Sequence, residues 1–154
     1  LGVRGAHSGS PPDVGERAIR VHTETLDDVK DVGQLTTRVP PNTDMLRNDF
    51  ADVLGTKPVV LIFATPALCQ SRVCGPVVDV AEQVRAEVGD KVAFVHQEVY
   101  RDNQVNKGLR PPLVKWRLAS EPWMFVIGRD GRIADRFEGA VSVPELRDAV
   151  QKPL

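Results

Sequence analysis

The chain has 154 residues, 42% of them hydrophobic, and its 20 Lys and Arg against 21 Asp and Glu leave a formal net charge of −1. That length is the scale of a single domain with a substantial buried core. A near-neutral balance without a basic cluster gives nucleic acid no footing, and no apolar run approaches the roughly 18 residues of a membrane-spanning helix.

Residues 1–15 are rich in Gly, Ser and Pro and read as a flexible N-terminal tether, ahead of one domain over 16–154. The chain starts at Leu1 rather than Met, which fits a form with a signal or anchor removed. An extracytoplasmic placement, tethered or secreted, is favoured over a cytoplasmic one. Two cysteines do not decide the compartment, since they suit a structural disulfide outside or a redox pair on either side.

In chain order, residues 16–41 are polar and irregular, with a short strand expected at 18–22. Met45, Leu46, Phe50, Val53 and Leu54 recur at helical spacing, and a helix over 44–54 ending at Gly55 is expected. The β-branched run 59–64 suggests a central strand buried on both sides. Val77, Val80, Ala81, Val84 and Val88 form one helical face closed by Gly89. A second buried strand follows over 91–99, then a polar loop over 102–108. A short helix is expected over 113–118, interrupted upstream by Pro111-Pro112. A third strand over 123–127, an Arg129-Asp130-Gly131 hairpin turn and a returning strand over 132–137 come next. Ser142-Val143-Pro144-Glu145 is a capping box that starts a last helix running to about Gln151. The order β, α, β, α, β, β, α needs a parallel crossover and then an antiparallel hairpin. It implies an α/β fold of three layers, a mixed central sheet with helices on both faces.

The two cysteines, Cys69 and Cys74, lie between the first strand and the following helix in Pro66-Ala67-Leu68-Cys69-Gln70-Ser71-Arg72-Val73-Cys74-Gly75-Pro76. Helix N-termini carry unpaired N–H groups and partial positive charge, which favour thiolate over thiol, and the thiolate is the nucleophile of disulfide exchange. The spacing has its own consequence. In regular α-helix, Cα atoms five residues apart stand about 8–9 Å apart, whereas a disulfide requires less than about 7 Å. Either Cys69 precedes the first turn or the turn must unwind, so a loop or locally labile segment is expected over 66–73. Gly75-Pro76 is expected to make the surroundings of the second cysteine less regular.

The element order with its cysteine pair resembles the thioredoxin fold. The strongest local likeness is Glu121-Pro122-Trp123-Met124-Phe125-Val126-Ile127-Gly128-Arg129-Asp130-Gly131. This run resembles the proline–strand–Asp-Gly segment of thioredoxin-like oxidoreductases of the cytochrome-maturation type and of peroxiredoxins. The resemblance spans about residues 44–151. It implies that Pro122 is cis and lies against the cysteines, with Thr65, Pro66 and Trp123 lining the same substrate groove. It also implies a thiol–disulfide oxidoreductase, with Cys69 attacking and Cys74 resolving, no cofactor and no metal. Its partners would be protein thiols and disulfides or small-molecule oxidants. The four-residue gap between the cysteines departs from thioredoxin and is similar to the peroxiredoxin Q type, which makes a thiol peroxidase the alternative. Pro66 stands where peroxiredoxins carry Thr or Ser, which weakens that alternative. A non-catalytic binding module with a structural disulfide is the third reading. So short a loop restrains little of the unfolded chain, which speaks against a purely structural pair.

Arg72 is placed to favour a thiolate by its charge or to be an exposed helical arginine. Trp116 and Trp123 read first as packing residues. His96 and Glu98 share one face of the second strand; with the cysteines they outline a weak metal reading, and alone a polar strand end or a proton relay beside the thiols.

Overall fold

The computed structural model describes residues 9–69 and 71–154. Four strands form one mixed sheet: β1 (Val59–Phe63), β2 (Ala93–Gln97), β3 (Trp123–Ile127) and β4 (Ile133–Glu138), in the order β2-β1-β3-β4. β1 runs parallel to β2, with Val59 opposite Ala93 and Phe63 opposite Gln97. It runs antiparallel to β3, which pairs antiparallel with β4 through the hairpin. Among the described residues four α-helices accompany the sheet: α1 (Phe50–Val53), α2 (Cys74–Val88), α3 (Pro111–Lys115) and α4 (Val143–Gln151).

Alternation along the strands divides the core. On one face Val60, Ile62, Phe94, Met124 and Val126 pack against Val77, Ala81 and Val84 of α2 and Leu146, Ala149 and Val150 of α4. On the other, Leu61, Phe63, Val95 and Phe125 meet Phe50, Leu113 and Trp116. The layers are those expected, because β1, β2 and β3 are buried at every position and demand cover on both sides. Trp116 fills the second layer: its ring centroid lies 4.7 Å from Phe125 and 5.5 Å from Phe63, and its indole N–H donates to the Ile19 carbonyl at 2.9 Å. The packing role read for Trp116 is what the structure shows.

Several elements differ from expectation. The single helix over 44–54 is split into a 3-10 turn, Thr43–Leu46, and α1. Asp49 divides them: its carboxylate accepts from the N–H groups of Ala51 and Thr23, making it a helix N-cap rather than a mid-helix residue. The strand expected at 18–22 is not formed: one bridge, Arg17 to Arg132, lies beside it, and the Ile19 carbonyl is taken by the Trp116 indole instead of a ladder. Pro111 and Pro112 open α3 rather than interrupt it, since the first helical positions need no N–H donor. Pro76 likewise falls in the first turn of α2, so the helix around Cys74 is regular. The second strand is shorter than 91–99, since a 3-10 turn, Gly89–Lys91, occupies its start. Gly89 closes α2 at φ 63°, and the Ser142–Glu145 capping box forms at α4 as read.

Of the segment read as a tether, residues 1–8 lie outside the described residues. Beyond them the Gly15 N–H donates to Ile133 O, the Ile133 N–H to Glu16 O and the Ala18 N–H to Gly131 O, each at 2.8 Å. Pro12 O accepts from Arg136 Nη1 at 3.1 Å.

Two outcomes are expected from this packing. Phe125→Ala empties the centre of the aromatic layer and lowers stability by about 3–5 kcal/mol, readable as a lowered urea midpoint. The second concerns His22, whose hydrogen bond to Asp49 holds its pKa above 6.5. Burial pushes Asp49 up, but the Thr23 N–H, His22 and the Ala51 N–H outweigh it and hold Asp49 low. The stabilising pair is therefore present at mildly acidic pH, fades as pH rises through the raised His22 value, and fades again in strong acid as Asp49 protonates. The melting-temperature advantage of the wild type over His22→Ala should be larger at about pH 5–6 than at about pH 9.

Candidate redox site at the start of the long helix

β1 ends at Phe63, and the described residues between it and Cys74 form turns and bends. Cys69 and Cys74 are joined by a disulfide with their Cα atoms 5.9 Å apart. The spacing conflict is resolved by the first of the two expected routes: Cys69 precedes the helix and Cys74 is its first residue. Cys74 is fully buried, whereas Cys69 is half-buried. Val73, the residue before α2, makes no side-chain cap. Val73 therefore offers no side-chain acceptor to the N–H groups of the first turn beside the sulfurs.

The loop is held from behind by β2. His96 Nε2 lies 2.8 Å from the Ala64 carbonyl and, as a protonated ring nitrogen, donates to it. Glu98 is completely buried, and its Oε2 accepts from the Thr37 N–H at 2.6 Å and the Thr37 hydroxyl at 2.8 Å. The same Thr37 oxygen accepts from the Ala67 N–H at 2.9 Å, two residues before Cys69. Glu98 Oε1 and the hydroxyl of fully buried Thr65 have no hydrogen-bond partner among the described residues. Arg110, also buried, donates to Tyr100 O, Gln34 O and Asn103 Oδ1. Burial pushes its guanidinium below the ordinary value, and the nearby charge of Glu98 opposes that shift.

The loop is held from the front by Ser71. Its Oγ lies 3.1 Å from Cys69 Sγ and donates to the Glu121 carbonyl at 3.3 Å. The Glu121–Pro122 peptide bond is cis and Pro122 is buried. One hydroxyl thus joins the first sulfur to the residue before Pro122. Trp123 is 8% exposed, stacked on Phe125 at 5.4 Å, covered by Arg136 at 5.4 Å from its centroid, and its N–H donates to Ser120 Oγ. Pro66 borders a cleft of about 400 Å³ with Thr37, Ala67 and Gly75. A larger cavity, about 930 Å³, lies among Glu24, Gln34, Arg110 and Lys115, and neither cysteine lines it. Arg72 is exposed on a bend at φ 65°, outside the helix.

Sequence reasoning singled out neither Thr37 nor Ser71. Ser71 was within the quoted cysteine run, where a hydroxyl two residues from a sulfur was the available signal. Thr37 lies in irregular chain thirty residues from its partner Ala67 and carried none. His96 and Glu98 reach different partners, and no group of three or more His, Cys, Asp or Glu among the described residues is placed to hold a metal. No helix among them is long and apolar enough to cross a membrane.

With this geometry in place, similarity to solved structures identifies the architecture. The DsbF protein of MTB, determined in mixed oxidised and reduced forms, is 22% identical and matches over 88% of this chain and 96% of its own, with a TM-score of 0.59. A putative thiol:disulfide interchange protein DsbE from Chlorobium tepidum is 14% identical over 91% of this chain and 96% of its own, with a TM-score of 0.63. A DsbF homologue from Corynebacterium diphtheriae is 20% identical over 92% and 90%, with a TM-score of 0.60. The fold is thioredoxin-like, with the cysteine pair in a C-x4-C arrangement. No protein-family model and no curated protein matches the chain.

Thr37→Val removes the hydroxyl that links Glu98 to the loop. It should cost about 1–3 kcal/mol of stability and speed amide exchange at Ala67, readable by hydrogen exchange.

Proposed function

We propose that the chain is a thiol–disulfide oxidoreductase working through Cys69 and Cys74. The observation that carries the reading is the pair itself: two sulfurs bonded at the start of a long helix, one half-buried and one sealed. In the reduced protein the Cys69 thiolate attacks one sulfur of a partner disulfide. That S–S bond breaks, the first partner thiolate leaves and takes up a proton, and a mixed disulfide forms. Deprotonated Cys74 then attacks Cys69 Sγ, restores the Cys69–Cys74 bond and expels the second partner thiolate. The partner gains two electrons and the protein loses two; an external dithiol resets it. Run in reverse, the same steps deposit a disulfide in the partner.

Asymmetric exposure supports the assignment of roles, since the attacking sulfur must be reached from outside and the resolving sulfur only from Cys69. Pro122, Thr65, Pro66 and Trp123 form the surroundings of the groove in this reading. Pro122 is tied to the pair through Glu121 and Ser71, and Pro66 borders a cleft that reaches Gly75, the residue after Cys74. Partner proteins carrying thiols or disulfides are the substrates, and an extracytoplasmic setting suits a disulfide that persists.

Insulin disulfide reduction driven by dithiothreitol tests the reading. Turnover should vanish in Cys69→Ser, while Cys74→Ser should accumulate a mixed disulfide with the substrate, seen by non-reducing electrophoresis. The reduction potential of the pair should lie above about −300 mV. A far lower potential together with unaltered turnover in Cys69→Ser would mark the disulfide as structural. Peroxide consumption that is lost in Cys69→Ser, without insulin reduction, would instead assign a thiol peroxidase.

A further inference from the structure

Ser71 has one hydroxyl proton and two acceptors within reach. Cys69 Sγ lies 3.1 Å away and the Glu121 carbonyl 3.3 Å away. A disulfide sulfur carries no hydrogen, so in the oxidised protein only Ser71 can donate in either contact. A neutral disulfide sulfur is a weak acceptor, and a peptide carbonyl is the stronger of the two. Once the disulfide opens and Cys69 ionises, the order reverses, because a hydrogen bond to a charged acceptor is about twice as strong as one between neutral groups.

We infer that Ser71 is a redox-linked positioning residue. Its hydroxyl donates to the Glu121 carbonyl while the pair is oxidised and swings to the Cys69 thiolate when the pair is reduced. The swing acts on the same reaction from two sides. It stabilises the nucleophile, and it frees a backbone carbonyl beside Pro122, the kind of group to which an extended partner chain donates its N–H. The groove is thus open to a partner chain when Cys69 is ready to attack, and closed by the protein's own side chain after the disulfide has reformed. Ser71 is exposed and the segment around it is irregular, so a small rotation of one side chain is all that the exchange requires.

The inference deepens the oxidoreductase reading and rests on it. Its test is the pH profile of Cys69 alkylation by iodoacetamide in the reduced wild type, Ser71→Ala and Ser71→Thr. Because a hydrogen bond to a thiolate favours the charged form, Ser71→Ala should shift the profile to higher pH and slow alkylation at pH 7 by about tenfold. Ser71→Thr, which keeps the hydroxyl, should restore it; loss of packing alone would not respond in this order. The carbonyl ¹³C resonance of Glu121 should move on reduction in the wild type and hold still in Ser71→Ala. An Ala profile superimposed on the wild type, or a Glu121 resonance blind to redox state in the wild type, overturns the assignment even where Cys69-dependent insulin reduction persists. Insulin reduction that survives in Cys69→Ser removes the underlying exchange reading instead.

Discussion

A disulfide sets a ceiling on the separation of two Cα atoms, and an α-helix sets a floor for residues five apart; the two do not overlap. The rest of the site is arranged around that incompatibility. The chain leaves β1, stays out of helical conformation through Cys69, and begins α2 only at Cys74, which brings the Cα atoms to 5.9 Å. A shorter gap would let both cysteines share the first helical turn. Here the price of the longer gap is a stretch of irregular backbone that α2 does not order, and other elements must hold it.

They do so from opposite sides and with different chemistry. Behind the loop, buried side chains from the end of β2 engage backbone: His96 holds Ala64, and Glu98 acts through Thr37 on Ala67. The His96–Ala64 bond is buried, where an unmade one is costly, and the Thr37 link starts on a fully buried carboxylate before it reaches the exposed Ala67 N–H. In front, the contact is a single exposed hydroxyl spanning Cys69 and Glu121, which water competes with and which is easily exchanged. The entry to the loop is therefore the more firmly anchored end, while the Ser71 hydroxyl on the far side of Cys69 is free to respond when the sulfur changes partner.

How much could be read in advance follows from the kind of interaction concerned. β1, β3, α2 and α4 were readable because each is specified locally, by a continuous apolar run, a repeating helical face or a capping box at Ser142. The hairpin was written in Asp130-Gly131. The cysteine geometry was also accessible, since it needs only helix dimensions and a spacing. The helix over 44–54 misled because its apolar spacing is helical, while Asp49 is captured by Thr23, twenty-six residues away. The strand at 18–22 failed similarly: the Ala18 N–H goes to the Gly131 carbonyl in the hairpin turn and the Ile19 carbonyl to the Trp116 indole, so no ladder forms along it. Pro111 and Pro112 were misread by sign, a helix start taken for an interruption. Thr37 matters through a contact across thirty residues, for which a single sequence holds no local trace; Ser71 left one local trace, its place two residues from a sulfur, and none of its contact with Glu121 across fifty residues.

The pairing of residues 15–18 with the start of β4 bears on how the molecule meets its own copies. β4 is the outermost strand on its side of the sheet, and an outer strand presents unpaired amides and carbonyls to any other extended chain. Ile133 gives both of its backbone groups to Gly15 and Glu16, and Gly131 O receives Ala18. The protein's own leading segment thus occupies the positions where a neighbouring molecule would begin to zip on, and sheet-to-sheet aggregation is denied its starting point at that margin.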